Sequence, residues 1–455
     1  MTRGAPAVGP VALLVVLATV ALVLRILGAL DPLWLDEIWS LERALAVDGW
    51  RGVFTSIHSD NNHWLVSLWL RALGDERPEW ALRLPSTVLG ALSVPAAWLA
   101  GRRRAGAAAG GVAAGVVAIA YPLVHYGSEA RGYAPAIFFL LASVWLLERF
   151  ADGGRRRDAI GFAAAATLGV ASHLTFTFAL AALAADRLLR PGPRRSRALV
   201  PFLVPLSALA LLFVVDLRHW TVAGGDPLPA GRGLADATAW LVGARPGGAG
   251  ALVTAGLLLV ASLRSSRRAG DVTALLLPWV AATAAGAAYV PPRYFVVPLV
   301  LPLLALAELA ADALRRGGRA GRVAVGIGAA FFLLHQSFFL REFLEHGRGP
   351  TRTVIETMLR TSRNPEDVTV AFDFAPRGET VVRHHARLRP GGAALRVVEP
   401  GTEAPPEFRL HHVFAGGPDV GDRFVDAAGH AYVLVRRDDH FGLSGWTWLL
   451  YRRAT

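Results

Sequence analysis

The chain has 455 residues, of which 53% are hydrophobic and only 18% are charged, with a mean hydropathy of +0.41. This balance is rare in a water-soluble protein of this size, so it predicts a membrane protein. The formal net charge is +12, but the arginines stand in short clusters between apolar runs, which excludes a nucleic-acid-binding module. Cysteine is absent, which excludes disulfide bonds within the chain and thiol chemistry.

The first apolar run, Val11 to Leu30, is long enough to cross a bilayer, which requires roughly 20 residues. It is followed by Asp31-Pro32-Leu33-Trp34 instead of a small-residue cleavage site, so we expect a retained helix. Apolar runs of similar length recur as far as Leu340. The sequence therefore predicts an all-α polytopic membrane domain over residues 1–340, with about 11 transmembrane helices.

Arginine clusters between these runs predict the orientation in the membrane. They comprise Arg102, Arg103 and Arg104; Arg155, Arg156 and Arg157; Arg194, Arg195 and Arg197; Arg264, Arg267 and Arg268; and Arg315, Arg316, Arg319 and Arg322. Because arginine-rich short loops stay in the cytoplasm, the N-terminus is expected there, and an odd number of spans puts the C-terminus outside. We expect a multi-pass protein of the plasma membrane.

The C-terminal residues 341–455 are more polar and predict a small extracytoplasmic α/β domain. Short β-rich runs predict strands at 368–374, 394–398, 411–415 and 431–436, and helices are predicted at 351–361 and 378–388.

Two adjacent carboxylates, Asp36 and Glu37, follow the first span between Trp34 and Trp39. They could begin a solvated helix, where the helix dipole favours acidic residues. They could also supply a general base or a metal ligand at the level of the lipid headgroups.

The segment from His58 to Trp64 contains Asp60 and His63, which are three residues apart and could share a helical face. Such a pair is compatible with a divalent cation. The alternative interpretation is a polar loop that caps the next helix.

Two further outer turns carry charged groups. Glu129, Arg131 and Tyr133 lie in the turn that starts at Tyr121, where an acid and a base could face a cavity or form a surface ion pair. Arg293 precedes Tyr294 at the mouth of a helix pair, and could grip a phosphate bidentately or snorkel to the interface.

Arg25 and His173 lie at a similar depth and are interpreted as packing or snorkelling residues. Acids, histidines and arginines from four separate segments nevertheless fall on one predicted side of the membrane, which indicates one site.

The motifs Leu33-Trp34-Leu35-Asp36-Glu37, Arg83-Leu84-Pro85-Ser86, Ser128-Glu129-Ala130-Arg131-Gly132-Tyr133 and Pro292-Arg293-Tyr294 together resemble a known family. They are similar to those of the C-type membrane glycosyltransferases of the protein O-mannosyltransferase and aminoarabinose-transferase kind. The resemblance covers roughly Val11 to Leu340. It implies a polyprenyl-phosphate-sugar donor lying in the membrane, and inverting transfer of a hexose or pentose to a glycan, lipid or protein acceptor outside.

The resemblance also implies roles for individual residues. Asp36 would be the general base that deprotonates the acceptor, and Glu37 would orient the acceptor or support that base. Arg131 and Arg293 would neutralise the leaving lipid phosphate. The remaining residues implied to line the cavity and bind substrate are Asp60, His63, Glu129, Tyr133 and Tyr294.

A divalent metal ion on Asp60, His63 and Glu129 is the cofactor that the resemblance leaves open. Many relatives carry His-Pro-Pro after the second acid, whereas His63 is followed here by Trp64 and Leu65, which leaves the acceptor open too. A transporter or flippase of lipid-linked sugars is the main alternative function, because intramembrane charges also mark transport paths. A membrane scaffold whose outer domain binds partners is the third.

Overall fold

A computed structural model describes residues 9–190, 197–221, 226–399, 405–413 and 421–454, so Arg194 and Arg195 of the third arginine cluster lie outside the described residues. Contacts divide the chain into two compact units. The first contains the residues up to Leu27 together with Arg43–Phe338. The second contains Gly28–Glu42 and Phe339–Thr455, so a short segment after the first helix belongs with the C-terminal residues.

Helices make up most of the first unit. Helix α2 runs from the second unit into the first, and α17 runs from the first into the second. The helices up to the end of α17 are α1 (Pro10–Ala29), α2 (Leu35–Ala46), α3 (Gly49–Thr55), α4 (Trp64–Leu73), α5 (Glu79–Leu82), α6 (Leu84–Ala105), α7 (Ala107–Ile119), α8 (Tyr121–His125), α9 (Tyr133–Gly153), α10 (Arg156–Ser172), α11 (Phe176–Leu189), α12 (Leu203–Val215), α13 (Ala230–Val242), α14 (Ala249–Arg264), α15 (Arg268–Ala284), α16 (Val300–Arg316) and α17 (Gly318–His346).

Five helical segments among the described residues are long and apolar enough to cross a membrane: Pro10–Ala29, Leu84–Ala105, Tyr133–Gly153, Arg197–His219 and Gly318–Thr361. A sixth is present if α7 and the segment Tyr121–Ser128, which meet at a 60° bend, form one span. The chain is therefore a multi-pass membrane protein, but the predicted count of about 11 spans is not confirmed. Helices such as α11, with 14 residues, are shorter than the roughly 20 residues that an unaided span requires.

Members of the arginine clusters also tie helices together. Arg104 at the end of α6 is bonded to both carboxylate oxygens of Asp271 in α15, at 2.9 and 3.0 Å. Arg267 pairs with Glu148 of α9, to which Arg187 of α11, outside the clusters, is also paired. Because the side chains of these pairs are buried, each pair offsets the desolvation of its partner, and the clusters have a packing role besides their predicted role in topology.

The second unit contains a six-stranded sheet with the order β2-β1-β3-β6-β5-β4. Its elements are α18 (Thr351–Thr361), β1 (Val368–Phe372), α19 (Ala375–Arg387), β2 (Leu395–Val397), β3 (Phe408–Val413), β4 (Arg423–Val425), β5 (Ala431–Asp438) and β6 (Thr447–Arg453). Strands β2, β1 and β3 are parallel, and the other pairs are antiparallel.

The predicted small α/β fold is present in this unit. Strands β1, β2, β3 and β5 and helices α18 and α19 were predicted within a few residues, although Ala415 lies outside the described residues. Strands β4 and β6 were missed. Side chains from Trp448 to Tyr451 are buried on both faces of the sheet, so β6 lacks the alternation that marks a half-buried strand.

Candidate functional site

Asp216, at the end of α12, organises the loop that carries two predicted site residues. Its fully buried carboxylate accepts hydrogen bonds from His58 Nδ1 at 2.9 Å, Trp64 Nε1 at 2.8 Å and Asn62 Nδ2 at 3.3 Å. His58 has a φ of +36°, which a non-glycine residue adopts rarely and which these contacts help to hold. Asp216 was not among the residues predicted from the sequence, because its partners are distant along the chain.

His63 precedes α4 directly, but its side chain makes no capping hydrogen bond. Its ring instead stacks on His173, with centroids 4.6 Å apart and planes inclined by 27°. Tyr133 contacts His173 at 4.1 Å, and Tyr126 contacts Tyr133 at 4.4 Å. All four rings are buried, so the starts of α4 and α9 and the loop after α10 meet in one cluster, which we call the His–Tyr cluster.

The proton of His173 is fixed by its surroundings. Nδ1 accepts a hydrogen bond from the backbone N–H of Thr175 at 3.2 Å, so the neutral ring carries its proton on Nε2. Burial is the largest cause that lowers the pKa of both His63 and His173, and the charges of Arg131 and Arg293 lower them further. Both imidazoles, which lie outside the candidate spanning helices, are therefore neutral near pH 7.

Both predicted phosphate-binding arginines act on this cluster. Arg131 is buried, donates from Nη2 to Asn61 Oδ1 at 3.0 Å, and lies over the ring of Tyr133 at 5.1 Å. Arg293 is half-buried, and its charge acts on His63 and His173 as the charge of Arg131 does. The two arginines place positive charge beside two neutral imidazoles in a poorly solvated region, which suits an anion. The buried carboxylate of Glu129 acts on His63 in the opposite sense and offsets part of this charge.

A glycine makes this assembly possible. A Cβ atom on Gly132 would lie 1.7 Å from the carbonyl oxygen of Ser172, the residue before His173, and 3.1 Å from Cβ of His63. Only glycine allows the turn that carries Arg131 to approach the loop after α10 so closely.

The predicted acids occupy different surroundings. Glu129 and His125 are fully buried and 3.0 Å apart, so the interpretation of Glu129 as half of a surface ion pair is wrong. Asp60 is half-buried and accepts a hydrogen bond from the hydroxyl of Tyr294 at 3.4 Å, a tyrosine whose pKa is raised, chiefly by burial. The ligand atoms of Asp60, His63 and Glu129 do not converge as a metal-binding group among the described residues, so the metal stays a prediction.

Asp36 and Glu37 belong to the second unit, at the start of α2. Glu37 is buried and accepts a hydrogen bond from the backbone N–H of Trp34 at 2.9 Å, the geometry of one half of a capping box. Asp36 is half-buried. The structure thus shows a helix-capping contact for Glu37, and leaves Asp36 the more accessible carboxylate of the pair.

Arg25 was interpreted as a packing residue, and the structure agrees. Its guanidinium is buried and donates to the carbonyl oxygens of Val117 at 3.1 Å and Ala118 at 3.2 Å in α7. His173, given the same interpretation, is instead a member of the His–Tyr cluster. Its short Ser-His-Leu context offered no periodic signal that could have distinguished it.

Comparison with known proteins places this architecture in a class. Residues 62–220 match the family model described as dolichyl-phosphate-mannose-protein mannosyltransferase. ArnT from Cupriavidus metallidurans, solved bound to undecaprenyl phosphate, is 14% identical and matches with a TM-score of 0.52 over 96% of this chain and 97% of its own. The apo form of that ArnT is 15% identical, with the same TM-score and the same coverage of both chains. The Archaeoglobus fulgidus oligosaccharyltransferase in its apo form is 12% identical, with a TM-score of 0.50 over 87% of this chain and 65% of its own.

No curated protein matches the chain in sequence. The fold is nevertheless that of the C-type membrane glycosyltransferases, and the resemblance predicted from the sequence motifs is confirmed. The matched range contains the site residues His63, Glu129, Arg131, Tyr133 and Asp216. Asp36, Glu37, Asp60, Arg293 and Tyr294 lie outside it.

Proposed function

We propose that the protein transfers a sugar from a polyprenyl-phosphate donor to an acceptor on the extracytoplasmic face of the plasma membrane. The observation that carries the proposal is the position of Arg131 at the His–Tyr cluster, where it is bonded to Asn61 and lies 5.1 Å over the ring of Tyr133. The charge of Arg293 acts on the same buried imidazoles, His63 and His173. A lipid phosphate is the anion that a membrane offers to such a region. The fold shared with an ArnT that binds undecaprenyl phosphate supports the same donor class.

The chemistry follows from the charges. As the acceptor oxygen bonds to the anomeric carbon, the bond from that carbon to the phosphate oxygen breaks, and the phosphate gains negative charge. Arginines held in place stabilise this charge without reorganisation, and their fork matches two phosphate oxygens. Asp36 takes the acceptor proton as the general base. Attack opposite the leaving phosphate inverts the anomeric centre.

The direct test is Asp36→Asn in purified protein in lipid, with labelled polyprenyl-phosphate sugars as donors and envelope extract as acceptor. Asparagine keeps the shape of the side chain but cannot take up a proton, so turnover should fall by roughly 10²-fold or more while donor binding is retained. Asp48→Asn, at an exposed aspartate two residues after the same helix, is the matched control and should leave turnover unchanged. Wild-type-like transfer by folded Asp36→Asn would exclude this base.

A transporter of lipid-linked sugars is the alternative function. It predicts movement of the labelled lipid across the bilayer without transfer by the wild type to any acceptor, whether glycan, lipid or protein. The main proposal also includes a divalent metal ion as cofactor, held by Asp60, His63 and Glu129. Transfer that is lost with a chelator and restored by one added metal would support a metal requirement.

A further inference from the structure

The segment Gly28–Glu42, which carries Asp36, packs with the C-terminal sheet and helices as part of one compact unit. Its start is fastened by Arg348, which is buried. The guanidinium of Arg348 donates to the carbonyl oxygen of Gly28 at 3.2 Å and pairs with Asp31 at 3.5 Å. A buried charge-assisted contact of this kind fixes the backbone more firmly than a neutral hydrogen bond.

Two contacts fasten the residues just before Asp36. His385 of α19 donates from Nε2 to the carbonyl oxygen of Leu33 at 3.0 Å. The ring of Trp34 meets the ring of Trp446 edge-on, with centroids 4.2 Å apart. The exposed fractions of the two tryptophans are 8% and 1%, so this aromatic contact is dry and worth more than its area alone.

The C-terminal domain holds Trp446 rigidly in turn. Trp446 precedes β6, and its ring centroid lies 5.0 Å from that of His412 of β3 and 5.3 Å from that of Trp448. The preceding residue, Gly445, has a φ of +124°, and a Cβ there would lie 2.6 Å from the carbonyl oxygen of Arg348. The turn before β6 that contains Trp446 and the residue that anchors Gly28 are therefore packed against each other.

We propose that the C-terminal domain is a positioning part of the transferase, in which Trp446, His385 and Arg348 hold Asp36 in its reactive place. This inference rests on the proposed function, because it takes Asp36 as the base. Trp34 transmits the position, since its backbone N–H is bonded to Glu37 at the first turn of α2, next to Asp36. A base displaced by about 1 Å can lose a factor of 10² in rate, so the contacts that hold the Asp36 segment can control turnover.

The test compares Trp446→Ala with Trp446→Phe. Trp446→Ala should lower kcat by about 10- to 100-fold while KM for the donor stays unchanged, and phenylalanine should restore most of the rate because it keeps an aromatic ring. His385→Ala, which removes the bond to Leu33, serves as the second variant if Trp446→Ala does not fold.

Leu449→Ala is the matched control. Leu449 belongs to a core cluster with Tyr432 and Tyr451 that includes no residue of Gly28–Glu42. The substitution Leu449→Ala weakens the same domain without altering the segment that carries Asp36. The kcat of this variant should therefore equal that of the wild type at a temperature where the protein is folded. An equal loss of kcat in Leu449→Ala and Trp446→Ala would overturn the proposal.

A second readout separates this proposal from the function on which it rests. The chain has no cysteine, so a spin label on Asp36→Cys reports one position only. Its mobility should rise when Trp446→Ala is added and stay low with Leu449→Ala. Unchanged mobility with Trp446→Ala would overturn the positioning role whatever the activity, whereas an inactive wild type with the expected mobility change would count against the proposed function alone.

Discussion

The imidazole rings of His63 and His173 stack at 4.6 Å, although one precedes α4 and the other follows α10. Neither ring can take up a proton easily, because both are buried and both lie in the field of Arg131 and Arg293. The pair therefore adds polar, uncharged surface beside the two arginines, and the positive charge of the site comes from the arginines alone.

The first prediction concerns stability against pH. Both histidines have a folded pKa well below the unfolded value of 6.5, so the unfolded chain binds more protons below that pH. Their contribution is present above pH 6.5 and is lost as pH falls below it, with a limiting slope of about 1.4 kcal/mol per pH unit for each histidine. Thermal melts in detergent from pH 7.5 to 5 should show a steeper loss for the wild type than for His63→Gln/His173→Gln. Parallel curves would contradict the neutral pair.

The second prediction concerns the phosphate. Arg131→Ala and Arg293→Ala should each weaken donor binding by about 10- to 100-fold, as expected for the loss of a hydrogen bond to a charged group. Lysine should rescue only partly, because a fork becomes a point charge. Arg218→Ala, at an exposed arginine after α12, should bind donor normally. Donor affinity that is unchanged in both alanine variants, measured with purified protein in lipid, would rule out the phosphate role.

The third prediction concerns Asp216. Asp216→Ala leaves the donors of His58, Asn62 and Trp64 without their acceptor, so we expect a loss of about 2–5 kcal/mol of stability. The loop that carries Asp60 and His63 should loosen, and donor affinity should fall with it. The exposed Asp226→Ala is the control and should stay within about 0.5 kcal/mol of the wild type. Chemical denaturation that shows equal stability for both variants would remove Asp216 from this role.

The fourth prediction concerns topology. Accessible tags at Gly153 and Gly317, beside arginine clusters, should be cytoplasmic. Tags at Gly225 and Gly401, which lie outside the described residues, should be external. Labelling with a membrane-impermeant reagent in intact cells distinguishes the two sides. A cytoplasmic tag at Gly401 would reverse the predicted orientation and place the C-terminal domain away from an external acceptor.

The sequence by itself determined the class of molecule. Apolar runs of membrane length, arginine clusters and the motifs around Asp36, Arg131 and Arg293 were enough to predict a polytopic membrane protein with the C-type glycosyltransferase fold and a small C-terminal α/β domain. These features are local, because hydropathy over 20 residues and motif spacing are written along the chain. The span count was not confirmed, because hydropathy does not show where a helix breaks.

Only the tertiary structure decided which side chains meet. Asp216 is hydrogen-bonded to His58 and Trp64. The ring of His173 packs on that of His63, and the ring of Trp446 on that of Trp34. Each pair joins elements far apart in the chain. No periodicity encodes such a contact, since it depends on how helices and strands pack in three dimensions. The same packing separates two neighbouring acids: Glu37 is buried as a cap of α2, while Asp36 stays accessible, because successive helical residues point in different directions.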